Sequence, residues 1–336
     1  MNQTINSLEK IEILSLGLFD THHEEMNIVE QFQNYFGAEL GWHYYLDLAW
    51  IIREIRALPS GALVLDAGAG NGLLQFILSE LGYNVISADF MGHRFPSKFI
   101  YRYRQIIYSL NNKKVTFNNS YARYLNSAYI GHGVSKLSKL FDLFKIEKKY
   151  GNPIDIIDRN KLVSLKSVSR SLLEGDALGC CGRIFIYKCD LKNMPLLPDD
   201  LVDVVVSVSA LEHNDHEDLE KCLDEMIRVT KPAGRLLITV SAAQSEDYFH
   251  EPSRGWCYSE ATLHRLFRLR EDIWSNFPQK DLFFSMLLKE NNKLHKKLAP
   301  VYFRSADNGM PWGKWDPQYQ PVGIVKIKNY SMYRNT

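Results

Sequence analysis

The chain has 336 residues, 46% hydrophobic and 24% charged, which supplies apolar material for one large domain, or one domain enlarged by insertions, and excludes disorder as the default. No stretch approaches the roughly 20 apolar residues that span a bilayer, and Met1 to Phe19 carries acids where a secretion signal wants a positive leader, so a cytoplasmic protein is expected. The net charge of +1 hides an uneven distribution, since residues 92–175 carry +11 and the remainder −10: an acidic body bears a basic insertion. The cysteines, Cys180, Cys181, Cys189, Cys222 and Cys257, lack paired C-x-x-C spacing, which favours reduced structural thiols and predicts no metal site.

From the amino terminus, Tyr45 to Leu58 places apolar residues at helical spacing, and Pro59-Ser60-Gly61 ends the run. Ala62 to Leu65 is a short branched stretch ending at Asp66; glycines follow, then a helical stretch from Leu73 to Leu81. Tyr83 to Ala88 reads as a second strand ending at Asp89, which completes a β-α-β unit. The basic stretch interrupts the alternation, with helical patches at Phe99 to Leu110 and Val134 to Lys149. Strands are expected again at Ile184 to Cys189 and Val202 to Val206, followed by a helix on which Leu219, Cys222, Leu223, Met226 and Ile227 form one stripe. Lys231-Pro232-Ala233-Gly234 reads as a turn before the strand Leu236 to Val240, and Ser259 as the cap of a helix from Glu260 to Arg268. A second insertion, about 278–320, holds one helix from Asp281 to Leu298, and Val322 to Lys328 alternates as a final antiparallel strand.

The most informative segment is Val64-Leu65-Asp66-Ala67-Gly68-Ala69-Gly70-Asn71-Gly72. Alternate glycines let the backbone approach a ligand at the carboxyl end of the first strand of the unit, where open α/β sheets bind their ligands. A tight turn alone would also use them. The pattern D-x-G-x-G-x-G differs from the G-x-G-x-x-G of dinucleotide sites. Its carboxylate suits a ligand with a cationic amino-acid end and repels a pyrophosphate, which argues against a nicotinamide cofactor.

Here the sequence resembles the class I S-adenosylmethionine-dependent methyltransferases, through motifs spread over roughly Leu63 to Val240. Asp66, Gly68, Gly70 and Gly72 are similar to the family's first motif. The resemblance implies that Asp89 meets the ribose hydroxyls, that Asp190 meets the adenine amino group with Leu191 along the ring, and that Ser207 to His213 stands as the fourth motif, Ser207 beside the cofactor. Lys231-Pro232-Ala233-Gly234 resembles the family's K-P-G-G turn, and the basic insertion accounts for the long interval between Asp89 and Asp190. The implied fold is α/β: a doubly wound, seven-stranded, mostly parallel Rossmann-like sheet with a helical insertion after the second strand. Residues 1–60 then form an amino-terminal helical segment and lid, 61–91 and 176–336 the methyltransferase domain, and 92–175 the insertion.

Methyl transfer displaces sulfur from an already activated carbon, so alignment and exclusion of water matter most and a base is optional. His213, in Leu211-Glu212-His213, is the candidate base for a substrate hydroxyl; the alternative is that it orders the loop, with Asn214 or Asp215 capping the next helix. His250 is the second candidate. Tyr44 and Tyr45, in a lid, and Trp256, at the end of a polar and aromatic loop, are candidate substrate contacts that would serve equally as packing residues. The expected reaction is O-methylation of a small molecule or glycan precursor, anionic and phosphate-bearing because the insertion is basic. That insertion would serve equally for peripheral membrane contact, or only balance the acidic body. Nucleic-acid methylation is an alternative, opposed by Ser207-Val208-Ser209-Ala210 where amino-methylating enzymes carry D/N-P-P-aromatic. A non-catalytic assembly subunit is the other.

Overall fold

The computed structural model describes residues 9–36, 40–59, 61–95, 99, 102–103, 106–110, 116–117, 165–174, 181–302 and 315–328. Its strands are β1 (Lys10–Ile13), β2 (Leu63–Ala67), β3 (Asn84–Asp89), β4 (Arg94–Phe95), β5 (Ile107–Ser109), β6 (Thr116–Phe117), β7 (Ile184–Lys188), β8 (Val202–Val208), β9 (Thr230–Ala242), β10 (Tyr248–His250), β11 (Gly255–Tyr258), β12 (Trp274–Ser275) and β13 (Gln320–Ile327). The first four helices are α1 (Leu18–Thr21), α2 (His23–Phe36), α3 (Tyr44–Ile55) and α4 (Leu74–Glu80).

One sheet runs in the order β12-β1-β13-β9-β8-β2-β3-β7-β5, with the β10–β11 hairpin joined to β9. Strands β9, β8, β2, β3, β7 and β5 are parallel, and β13 is antiparallel to β9. All five residues of β2 are buried, the mark of a central strand covered on both faces and the reason Leu63-Val64-Leu65 reads as a continuous apolar run. One face packs under α2, α3 and α4, with Phe32, Trp50 and Phe76 in its core. The other packs under the helices His216–Val229 and Glu260–Leu266, through Leu219, Leu223, Met226 and Leu263. From β2 the chain proceeds outward through β3 to β7, then returns to β8 on the opposite side. The crevice therefore opens beyond the carboxyl ends of β2 and β8.

The doubly wound, mostly parallel sheet is as the sequence predicts, but among the described residues it has eleven strands rather than seven. Strand β1 lies in the segment expected to be helical, pairing with β13 through the alternating Lys10-Ile11-Glu12-Ile13. Strand β5 falls where a helix from Phe99 to Leu110 is expected, and pairs with β7. Lys231 to Gly234 lies within β9 as an irregularity, with Ala233 at φ 61 and a register shift between Val202 and Val204. The single helix from Asp281 to Leu298 is two, Lys280–Leu288 and Lys293–Tyr302, parted at Asn291, whose φ is 64. The helical patch Val134 to Lys149 lies outside the described residues. No helix among the described residues is long and apolar enough to cross a membrane.

Candidate active site

A cavity of about 760 Å³ opens at the carboxyl ends of β2, β3, β7 and β8. Its floor is the Asp66 to Leu74 turn between β2 and α4, its rim Asp89 to Gly92, and its far wall Leu40, Gly41, Tyr44, Leu48, Val208 and Ser209. Two glycines are required by geometry. Gly68 adopts φ +78, and a Cβ there would lie 2.4 Å from that of Ala210; Gly70 adopts φ +50. The Gly68 and Ala69 amides donate to the Ala88 carbonyl at 2.9 and 3.1 Å, which bends the loop over the end of β3. The Gly70 amide donates to Asp89 Oδ2 at 2.9 Å, and the Met91 amide to Oδ1 at 2.6 Å. Asp89 is thus fixed by two backbone donors, with further lone pairs for a ligand's hydroxyls.

Asp66 is 3% exposed and lines the cavity, and no hydrogen-bond partner for its carboxylate occurs among the described residues. Burial, helped by the charge of Asp89, pushes its pKa up to about 8. A buried carboxyl raised this far is suited to a cation, which would restore its charge. Beneath the loop, the Gln75 side-chain amide donates to the Gly72 carbonyl at 3.1 Å, Ser87 Oγ donates to Gln75 at 2.7 Å, and His93 Nε2 lies 2.8 Å from Ser87 Oγ. All three side chains are buried, and burial lowers the His93 pKa to about 4.

The structure brings Asp66, Gly68, Gly70, Gly72, Asp89 and Tyr44 together around this cavity. Other predicted site residues stand outside its lining. Ser207 is fully buried, because β8 continues to Val208; Ser209, two residues later, reaches the cavity. Asp190 is exposed and turned to the Lys192 amide at 3.0 Å, while Lys188 of the same segment lines the cavity. Leu191 lies behind Gly68, 3.9 Å from where a Cβ would stand. Tyr45 is buried on the side of α3 away from Tyr44, its hydroxyl bonded to Gln33, since neighbours on a helix point about 100° apart. His213 is exposed, with Nδ1 2.9 Å from the Arg254 carbonyl, and Asp215 caps the following helix. His250 is buried on β10 with Nδ1 2.7 Å from Ser253 Oγ, and desolvation lowers its pKa. The Trp256 ring packs against His216 and Phe249 at 5.2 and 5.5 Å.

Sequence reasoning missed Phe90 and Met91, 70% and 56% exposed on the cavity rim. Two large apolar residues directly after a strand-ending acid are the signal that was available for them: they form an apolar lip beside a carboxylate, the combination a nucleoside uses. The set of a cation-seeking buried carboxyl, a close-approach glycine loop, a hydroxyl-accepting Asp89 and an apolar lip fits S-adenosylmethionine.

A family model described as a methyltransferase domain matches residues 161–238. No curated protein matches the chain. Among solved structures, phosphoethanolamine N-methyltransferase 2 of Haemonchus contortus, bound to phosphomonomethylethanolamine and S-adenosylhomocysteine, is 14% identical with a TM-score of 0.46, over 93% of this chain and 59% of that one. The 1,6-didemethyltoxoflavin N1-methyltransferase of Burkholderia thailandensis, bound to its substrate and S-adenosylhomocysteine, is 12% identical with a TM-score of 0.39, over 93% and 85%. The YcgJ protein of Bacillus subtilis is 14% identical with a TM-score of 0.38, over 83% and 97%. The family match over residues 161–238, the strand order and the cavity built on the acid-glycine loop agree on a methyltransferase domain with an S-adenosylmethionine site.

Proposed function

We propose that this enzyme transfers the methyl group to a hydroxyl of a small molecule or glycan precursor. What carries the reading is the cavity: one end is suited to the cofactor, and the other is an apolar wall of Leu40, Leu48 and Val208 with Tyr44 and Ser209 as its polar groups. A site of this size under a helix takes a compact acceptor. On this reading Asp66 and the Gly68 to Gly72 loop hold the amino-acid end of the cofactor, Asp89 its ribose, and Phe90 and Met91 its base. The chain's contribution is alignment of the acceptor and exclusion of water.

The case for a phosphate on the acceptor rests on the basic insertion, most of which lies outside the described residues. Among its described residues, Arg102 is already paired with Glu80; Lys188, which lies outside the insertion, is the one cation lining the cavity among the described residues.

The test has two parts. Calorimetry with S-adenosylhomocysteine should show Asp66→Ala and Gly70→Val each weakening binding by about tenfold or more, roughly 1.4 kcal/mol. Incubation with methyl-labelled cofactor and a fractionated small-molecule extract should label a compound of low mass. Unchanged affinity in both variants refutes the cofactor assignment, and the absence of any labelled compound of low mass refutes the acceptor class.

A further inference from the structure

Behind the far wall of the cavity lies a buried group of polar residues that cofactor binding does not use. His43 precedes α3, and its Nδ1 lies 2.5 Å from Oδ2 of Asp47, one turn along the same helix. Both residues are buried, at 7% and 1% exposure. A carboxylate only accepts, so the imidazole carries its hydrogen on Nδ1 and presents the Nε2 lone pair.

Two contacts place the ring beside the cavity wall. The His43 ring stacks on the cavity-lining Tyr44, with centroids 4.5 Å apart. Gly41 also lines the cavity, and the atoms nearest to a Cβ built on it are the Tyr44 ring at 2.8 Å and His43 Nε2 at 3.9 Å. Nε2 thus stands next to a residue of the cavity wall, and the Tyr44 ring fills the space where a Gly41 side chain would lie. From the opposite side, the cavity-lining Ser209 donates its hydroxyl to Glu212 Oε1 at 2.5 Å. Burial raises the Glu212 pKa, and positive charge on His213, then on His43, would bring it down. Asp47 Oδ1 and Glu212 Oε2 are both buried without a hydrogen-bond partner among the described residues. Unpaired buried carboxyl oxygens are costly, and a transient positive charge on the nearby His43 ring would offset that cost. Tyr319, 5.6 Å from His43 by ring centroid, closes the group from the segment before β13, and burial holds its phenol well above the ordinary range.

We propose that His43, oriented by Asp47 and backed by Glu212, is the base that takes the acceptor's proton, and that the acceptor is an uncharged hydroxyl compound docked against Gly41, Tyr44 and Ser209. This rests on methyl transfer to a hydroxyl being the reaction. The acceptor's O–H bond breaks and its proton passes to Nε2 of the neutral imidazole. The freed oxygen lone pair forms the bond to the methyl carbon, and the electron pair of the broken C–S bond stays on sulfur, neutralising the sulfonium. A methyl ether, S-adenosylhomocysteine and an imidazolium result; the imidazolium, held by Asp47, then returns its proton to water. An acceptor anionic at this end would lie near the carboxyls of Asp47 and Glu212, with the neutral His43 imidazole beside them.

The experiment uses the full chain, tritiated-methyl cofactor and the small-molecule extract as acceptor source. His43→Ala should bind S-adenosylhomocysteine within twofold of wild type, lose transfer by about a hundredfold, and regain it when free imidazole is added. Asp47→Asn, which keeps size but changes the preferred tautomer, should also lose transfer, and histidine 15N spectra should show the His43 hydrogen on Nδ1 in wild type and displaced in the variant. If His43→Ala does not fold by thermal melting, Asp47→Asn and the spectra decide alone. Full transfer by His43→Ala, a loss that imidazole does not relieve, or wild-type transfer by Asp47→Asn overturns the proposal. A wild-type enzyme that binds cofactor but labels nothing in the extract overturns the methyl-acceptor reading instead.

Discussion

Asp66 carries the sharpest consequence at the scale of single residues. Its pKa, raised to about 8 by burial and by Asp89, means that the carboxyl is mostly protonated in the free protein at pH 7. A cationic ligand group favours the ionised form, so binding expels the proton. We predict that calorimetry of cofactor binding at pH 7, repeated in buffers of different ionisation enthalpy, shows close to one proton released, and that affinity rises with pH until about 8. The same shift acts on folding. An acid raised in the folded state contributes stability that is fully present below its unfolded value near 3.8 and is lost as pH rises through about 8. Asp66→Asn should therefore flatten the fall of the ligand-free melting temperature over that window while abolishing proton release. A proton count of zero in wild type would mean that Asp66 is already ionised or that the cation is met elsewhere.

Elements show which parts of the site can be read from sequence. The β2-loop-α4-β3 unit is legible because all its instructions are local: an apolar run, an acid, spaced glycines and a helical stripe within 27 residues, Leu63 to Asp89. Residues placed by longer relations are not. Whether Ser207 or Ser209 reaches the ligand depends on how far β8 runs beside β9, and whether Asp190 or Lys188 faces the cavity depends on the turn after β7. Strands β1 and β5 are too short to announce themselves, and exist because β13 and β7 offer unpaired edges. His43 is hidden by the same cause, since its meeting with Asp47 is local but its approach to Glu212 joins segments far apart in sequence. The network beneath the glycine loop is also non-local, linking α4, β3 and the segment before β4 through Gln75, Ser87 and His93. Gln75→Leu would remove the donor to the Gly72 carbonyl without adding a charge. We expect S-adenosylhomocysteine affinity to fall by about tenfold, roughly 1.4 kcal/mol, by calorimetry, with the far-ultraviolet spectrum unchanged. Unaltered affinity would show that the backbone bonds to Ala88 suffice to hold the loop.

The whole molecule raises the question of whether the basic insertion is an appendage or part of the body. Its net positive charge invites a picture of a detached arm, but its first described residues are core. Phe95, Phe99 and Tyr103 are fully buried, and Phe99 stacks on Phe36 of α2 at 3.8 Å and lies 4.3 Å from Phe76 of α4. Arg102 pairs with both oxygens of Glu80 on α4, and Tyr103 donates to the same carboxylate at 2.5 Å. The Glu80 and Arg102 side chains are 0% and 2% exposed, so neither charge has water to fall back on. Replacing one partner strands the other, a loss of about 3 to 5 kcal/mol, whereas replacing both by apolar residues removes the desolvation cost along with the attraction. Urea unfolding should therefore show Glu80→Leu and Arg102→Leu each strongly destabilising, and the double variant recovering most of the loss. Because α4 follows directly from the glycine loop, the single variants should also weaken cofactor binding, and the double variant should restore it. Additive losses in the double variant would mean that the two charges act independently and that the insertion is fastened by its aromatic residues alone.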